Sequence, residues 1–145
     1  MWNKKLNYDP LPVLLGSESQ ALHFFVERDL LNVDPGAAQQ LWHLPEVQKI
    51  LTRQRMDGSW QYLGNRPGDE FGEAYELLET WKVLRALVEM YAFNRQHPAV
   101  ARACEYLLSY QTEEGDIRGV LSNQYAPYYT GAMLESLIKA GYEND

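Results

Sequence analysis

The sequence predicts an all-α fold, and three observations predict it. Apolar residues recur at helical spacing in five segments, and no segment alternates convincingly with period two. Glycine and proline fall between those segments, where they punctuate turns. The spacing Gln-x-x-x-Gly-x-Trp at Gln54, Gly58 and Trp60 nearly returns at Gln111, Gly115 and Ile117.

The first segment is Ser17 to Leu31. Ser17 and Gln20 have capping-box spacing, and Leu22, Phe25, Val26 and Leu30 share a face. The second follows Asp34-Pro35, an N-cap with proline at the first helical position. Pro45 restarts or kinks it, and Val47, Ile50, Leu51 and Gln54 continue the face. The third is long, about 72–93, with Leu77, Trp81, Leu84, Val88 and Tyr91 on one stripe. It is apolar around much of its circumference, so it is expected to be covered on more than one side. The fourth starts at Pro98 and buries Val100, Cys104, Leu107 and Leu108 on the way to Gln111. The fifth runs from about Pro127 to Ala140, buries Met133, Leu134, Leu137 and Ile138, and stops at Gly141.

Composition narrows the function classes. The chain has 145 residues, 46% of them apolar, ample for one packed core. A formal net charge of −7 argues against nucleic acid or an anionic membrane surface as the main partner. Cys104 is the one cysteine, so no intrachain disulfide forms. Lys4 and Lys5 precede the apolar stretch Leu11 to Leu15, which Pro10 and Pro12 break. That stretch is too short for a signal peptide core or a membrane span. A soluble, cytoplasmic protein is expected.

Gly58 and Gly115 are 115 − 58 = 57 positions apart. At this offset Leu51 meets Leu108, Thr52 meets Ser109, Gln54 meets Gln111 and Asp57 meets Glu114, which reads as an internal structural repeat. The glutamines fall in the last turn of their helices, and the glycines permit the positive φ of a tight reversal. A glutamine there is able to satisfy orphan backbone groups at a neighbouring helix terminus, with the indole folded over it. These residues read as structural staples, because none is nucleophilic or titratable.

Arg102-Ala103, Tyr106-Leu107, Gln111 and Gly115 resemble the QW repeat of squalene–hopene cyclases and related triterpene cyclases. That repeat runs basic, small, two variable, aromatic, aliphatic, three variable, Gln, three variable, Gly, one variable, Trp. Only Ile117 departs, in place of Trp. The earlier copy keeps Ile50, Gln54, Gly58 and Trp60 but has Pro45, Glu46 and Lys49 where basic, small and aromatic residues would stand. The resemblance implies the α/α toroid of terpenoid cyclases and prenyltransferase β subunits. In it the second and fourth segments would be outer helices, and the first, third and fifth inner helices facing a cavity. Thr80 and Thr130 would then occupy similar places, followed by Leu84 and Leu87 against Leu134 and Leu137. The organisation expected is an N-terminal extension over 1–16 and an α/α-hairpin repeat domain over 17–145. Five helices make two hairpins and one unpaired inner helix, so the toroid is read as incomplete. It would be part of a larger domain, or would cover its open end by self-association.

The family's chemistry is only partly represented. The Asp-x-Asp-Asp acid of class II terpene cyclases and the Asp-Asp-x-x-Asp magnesium motif of class I synthases are both absent. The acidic cluster Asp69, Glu70, Glu73 and Glu76 reads first as favourable charge at a helix N-terminus. Glu79 is the titratable candidate for a cavity position and Glu76 a weaker one. Tyr75 and Trp81 on one inner helix, with Tyr128 and Tyr129 opening another, are candidates for a cavity wall, against a plain core-packing role. Cys104 lies on an apolar face, and His23, His43 and His97 have no ligand spacing, so neither metal nor cofactor is assigned. The reading is a repeat domain that binds or encloses an apolar, isoprenoid-type molecule, with the catalytic acid outside this chain. The alternatives are a non-catalytic protein-interaction module and part of a polysaccharide-lyase-like toroid.

Overall fold

The computed structural model describes residues 5–64 and 72–143, with the backbone alone at 72–73. Asp69 and Glu70, and the side chain of Glu73, lie outside the described residues, and so does the acidic cluster they would form. The helices are α1 (Leu11–Leu15), α2 (Gln20–Phe25) running into a π-helical turn (Val26–Leu31), and a 3-10 helix (Ala38–His43). Then come α3 (Pro45–Leu51), α4 (Gly72–Tyr91), α5 (Pro98–Leu108) and α6 (Pro127–Lys139). The protein is mostly helical. Among the described residues there is no strand, only isolated antiparallel bridges at Gln54–Trp60, Gln111–Ile117 and Gly119–Ser122. Among them also, no helix is long and apolar enough to cross a membrane.

Several local expectations are corrected. Pro10 and Pro12 do not break the stretch at Leu11 to Leu15; they begin α1. First-turn N–H groups have no intrahelical acceptor, so proline loses nothing there. Ser19, not Ser17, caps α2 by accepting the Leu22 N–H at 3.3 Å, while Ser17 Oγ accepts the Ser19 N–H. Gln20 is thereby the first helical residue and is too early for a capping box. Ala21, Phe24 and Val26 are the buried residues there, while Leu22, Phe25 and Leu30 are half-buried. Asp34 does not start a helix: its carboxylate accepts the Gly36 N–H at 2.9 Å in an Asx turn.

Helix α4 ends two residues earlier than expected. Ala92 is left-handed at φ 52°, and the Phe93 N–H returns to the Leu87 carbonyl at 3.1 Å. A left-handed alanine costs roughly 1–2 kcal/mol. Burial of the Phe93 ring, about 1.5–3 kcal/mol, offsets it. That ring is 1% exposed and lies 5.0 Å from Trp42 and 4.8 Å from His97.

Helix α4 organises the core. It packs against α5 and α6 and also touches α2 and the 3-10 helix. Leu77, Leu84 and Leu87 are fully buried on it, against Val100, Ala103, Cys104 and Leu107 of α5 and Met133 and Leu137 of α6. Ile138 was expected inside but is 54% exposed, because it lies on a flank of α6 that no other described helix covers.

The two glutamine turns follow α3 and α5. Gln54 and Gln111 lie three residues past the helix ends at Leu51 and Leu108, not in the last turn. The local hydrogen bonds match. Arg55 N–H meets the Ser59 carbonyl at 2.9 Å, and Thr112 N–H meets the Asp116 carbonyl at 2.8 Å. Each glutamine amide donates to its own glycine carbonyl, at 3.0 Å and 3.2 Å. Gly58 and Gly115 have φ of 90° and 88°. A threonine hydroxyl receives the N–H two residues after each glycine: Thr80 from Trp60 at 3.0 Å, Thr130 from Ile117 at 3.2 Å. The Trp60 indole adds a bond that Ile117 has no means to make, donating to the Ile50 carbonyl at the end of α3 at 2.9 Å.

Surroundings distinguish the two turns. A Cβ at Gly58 would stand 2.3 Å from the Arg102 carbonyl oxygen, whereas one at Gly115 would meet nothing within 4 Å. Gly115→Ala is expected to lose only the positive-φ cost, about 1–2 kcal/mol. Gly58→Ala adds displacement of α5 and is expected to lose at least about 1–3 kcal/mol more. Equilibrium urea unfolding of both variants measures the difference. Trp60→Phe keeps an aromatic ring but removes the indole donor to the Ile50 carbonyl, which retains the Arg53 N–H, for an expected loss of about 0.5–1.5 kcal/mol in the same assay.

Candidate functional site

The middle of α4 is pinned to the last turns of α6. The buried Trp81 indole donates to Ser136 Oγ at 3.1 Å, and that hydroxyl donates to the Ala132 carbonyl one turn back. Above the pin, the first halves of α4 and α6 and the loop after Arg118 enclose a pocket of about 340 Å³. Tyr75, Leu78, Val120, Leu121 and Tyr129 give it an apolar wall, and Ser122 and Gln124 give it polar groups. Its size is at the lower end of the roughly 300–1,000 Å³ of small-molecule sites.

The loop owes its shape to one glycine. Gly119 has φ 120°, and its N–H donates to the Ser122 carbonyl at 3.0 Å. A Cβ there would fall 2.8 Å from the Tyr110 ring and 2.9 Å from Leu77. The chain therefore passes close over the core and turns Val120 and Leu121 toward α4. Upstream, Arg118 holds the loop base through Asp116, Nε to Oδ2 at 2.7 Å, and through Glu114. Arg118 and Thr112 keep the Asp116 carboxyl below its usual range.

The four aromatic candidates separate. Tyr75 and Tyr129 stand in the pocket wall, and Tyr62 stacks on Tyr75 at 5.0 Å. Trp81 is 6% exposed and behind the wall, its ring perpendicular to that of Tyr129 at 6.5 Å and Arg85 over it at 5.5 Å. Tyr128 is 75% exposed and contacts Tyr129 at 5.4 Å. Leu78, Val120 and Leu121 were not singled out from the sequence. Leu78 is hidden by the stripe assigned to its neighbour Leu77, and the short Val120-Leu121 pair gives no periodic signal.

The acidic candidates lie elsewhere on α4. Glu76 is ion-paired with Arg55 at 3.0 Å, which ties α4 to the first turn. Glu79 is half-buried, and Arg85 turns to Glu89, 3.8 Å away, and to the Trp81 ring. Among the described residues no three His, Cys, Asp or Glu side chains converge as a metal set. Cys104 is fully buried, and burial pushes its thiol up to about 12, so it packs as a small apolar side chain.

The motif residues meet at a helix junction. Gln54 Nε2 donates to the Ala99 carbonyl at 2.7 Å, and Arg102 donates to Gln54 Oε1 at 2.7 Å. Tyr106 packs beside Tyr110 with the hydroxyls 3.2 Å apart, and burial raises its pKa. His97 caps α5, with Nδ1 accepting the Ala99 N–H at 3.2 Å.

Burial, followed by the charges of Arg102 and His43, lowers the His97 pKa from its usual 6.5. A histidine that is harder to protonate when folded stabilises the protein above its unfolded pKa. That contribution is lost as pH falls through the folded value. Protonation also removes the cap acceptor. Stability is therefore expected to drop as pH falls below 6.5, and His97→Asn, which keeps a cap acceptor without titrating, is expected to flatten that drop in urea titrations at stepped pH. No family model matches the chain, and neither a curated protein nor a solved structure matches it.

Proposed function

We propose that this chain binds an apolar, isoprenoid-type molecule in the pocket between α4 and α6, as part of an α/α-hairpin array of the toroid kind. The observation that carries the reading is the apolar wall of Tyr75, Leu78, Val120, Leu121 and Tyr129 around about 340 Å³. A molecule of linked methyl-branched units fits such a wall, because each buried CH₂ contributes about 0.8 kcal/mol. Ser122 and Gln124 would orient its one polar end.

The array reading is supported by the matched turns at 54–60 and 111–117, each tied to a threonine on the helix that follows. The reading assigns wall and scaffold to this chain and no catalytic residue. Glu76 is held by Arg55, and none of the described wall residues is a proton donor stronger than a phenol. An acidic-sugar site is less well supported, since no Lys or Arg is among the described wall residues.

Farnesol titrated into the protein and followed by calorimetry is expected to bind saturably. Leu121→Asp, on a half-exposed loop position, is expected to weaken binding about tenfold or more, because the apolar chain would then desolvate a carboxylate. Val13→Asp on the exposed face of α1 is expected to leave it unchanged. Absence of saturable binding, or equal binding to both variants, would overturn the reading.

A further inference from the structure

The first glutamine turn is engaged by a neighbouring helix, and among the described residues the amide of the second is not. At Gln54 both ends of the side-chain amide are used by the first turns of α5: Nε2 by the Ala99 carbonyl and Oε1 by Arg102. Helix α5 presses so closely that Gly58 has no room for a Cβ. Gln111 has the same local geometry but is exposed, and among the described residues its amide bonds only to the Gly115 carbonyl. The space over Gly115 is open.

The apolar surface beside the two turns differs in the same sense. Counting from Thr80, the α4 residues Leu84, Leu87 and Val88 are all buried. The residues in the same places after Thr130 are Leu134, Leu137 and Ile138, which are half-buried, buried and 54% exposed. With Leu108 and Tyr142 they frame a mostly apolar cleft of about 230 Å³ that ends at Gln111.

We propose that this end of the molecule is a docking slot for one amphipathic helix whose first turns read Pro-x-aliphatic-x-Arg. That is the chemistry of Pro98, Val100 and Arg102 in α5, which fills the matched turn. The incoming helix gives a first-turn carbonyl to Gln111 Nε2 and a guanidinium to Gln111 Oε1. Its aliphatic residue enters the cleft between Leu108 and Ile138. Charge favours this occupant. Glu113 is exposed on the turn and would face the positive end of a helix and an arginine, while Glu114, standing where Asp57 stands in the first turn, is paired with Arg118. The slot continues the α3–α5 junction by one more helix.

The test uses the full chain and a fluorescein-labelled peptide of residues 97–108 with Cys104→Ser, read by fluorescence anisotropy. Saturable binding is expected, with Gln111→Ala and Ile138→Asp in the protein, and Arg102→Ala in the peptide, each weakening it about tenfold. Both protein positions are exposed, so the variants keep the fold, which far-ultraviolet circular dichroism checks. No binding, or binding indifferent to Gln111→Ala, overturns the proposal. Binding sensitive to Gln54→Ala but not to Gln111→Ala does so too, since the peptide would then be replacing α5. Sedimentation equilibrium of the chain alone decides the remaining case. Concentration-dependent association abolished by Gln111→Ala would make a second copy the occupant and overturn the assignment to a separate helix.

Discussion

The packing of α3, α4 and α5 depends on the side-chain amide of Gln54. It donates to the Gly58 carbonyl in its own turn and to the Ala99 carbonyl of α5, and it accepts from Arg102. A neutral hydrogen bond contributes about 1 kcal/mol and one to a charged group somewhat more, so the junction's strength lies in their convergence on one planar group. A primary amide carries two N–H donors and a carbonyl acceptor on one plane, so it donates twice and accepts here without titrating. Gly58 is the steric counterpart: the contact exists because the turn has no Cβ. Trp60 then seals it from the side, with its backbone N–H on Thr80 of α4 and its indole on the last turn of α3. Three helices are thus tied to seven residues of irregular chain.

The same device, used a second time, meets different surroundings. The turn after α5 repeats the backbone hydrogen bonds and the threonine contact, which are local, and among the described residues lacks the amide-to-helix contacts, which need a neighbour. The exposure of Gln111 and Ile138 follows from that single difference. Replacement of tryptophan by Ile117 fits it as well. Ile117 is 2% exposed and fills the space under the turn; the carbonyl of Leu107 keeps the Tyr110 N–H as that of Ile50 keeps the Arg53 N–H, and the indole bond is what the second turn does without.

The pocket between α4 and α6 depends on the same framework. Thr130, which holds the second turn, lies next to Tyr129 in the pocket wall. The Trp81–Ser136 bond fixes how far α6 stands from α4, and Gly119 sets how closely the loop approaches. An apolar wall so placed rests on a buried polar pin whose donors and acceptor are matched, which keeps it in one geometry.

By itself the sequence determined the helical class, the long central helix and the duplicated turn. These are written in local terms: apolar spacing, Pro45, Pro98 and Pro127 at helix starts, and Gly58, Gly115 and Gly141 at positive φ. The central position of α4 was legible from its apolar circumference. Tertiary structure decided what local pattern does not encode. Ser19 took the cap from Ser17, and Ala92 went left-handed so that the Phe93 ring reached Trp42. The four aromatic candidates look alike as residue types, yet Tyr75 and Tyr129 line the pocket, Trp81 lies behind it and Tyr128 lies in solvent. The difference between Gln54 and Gln111 is of the same kind. Both stand in one motif, and only the packing of α5 tells them apart, because a side chain's partners across 45 to 48 positions are set by how helices stack and not by the residues beside it.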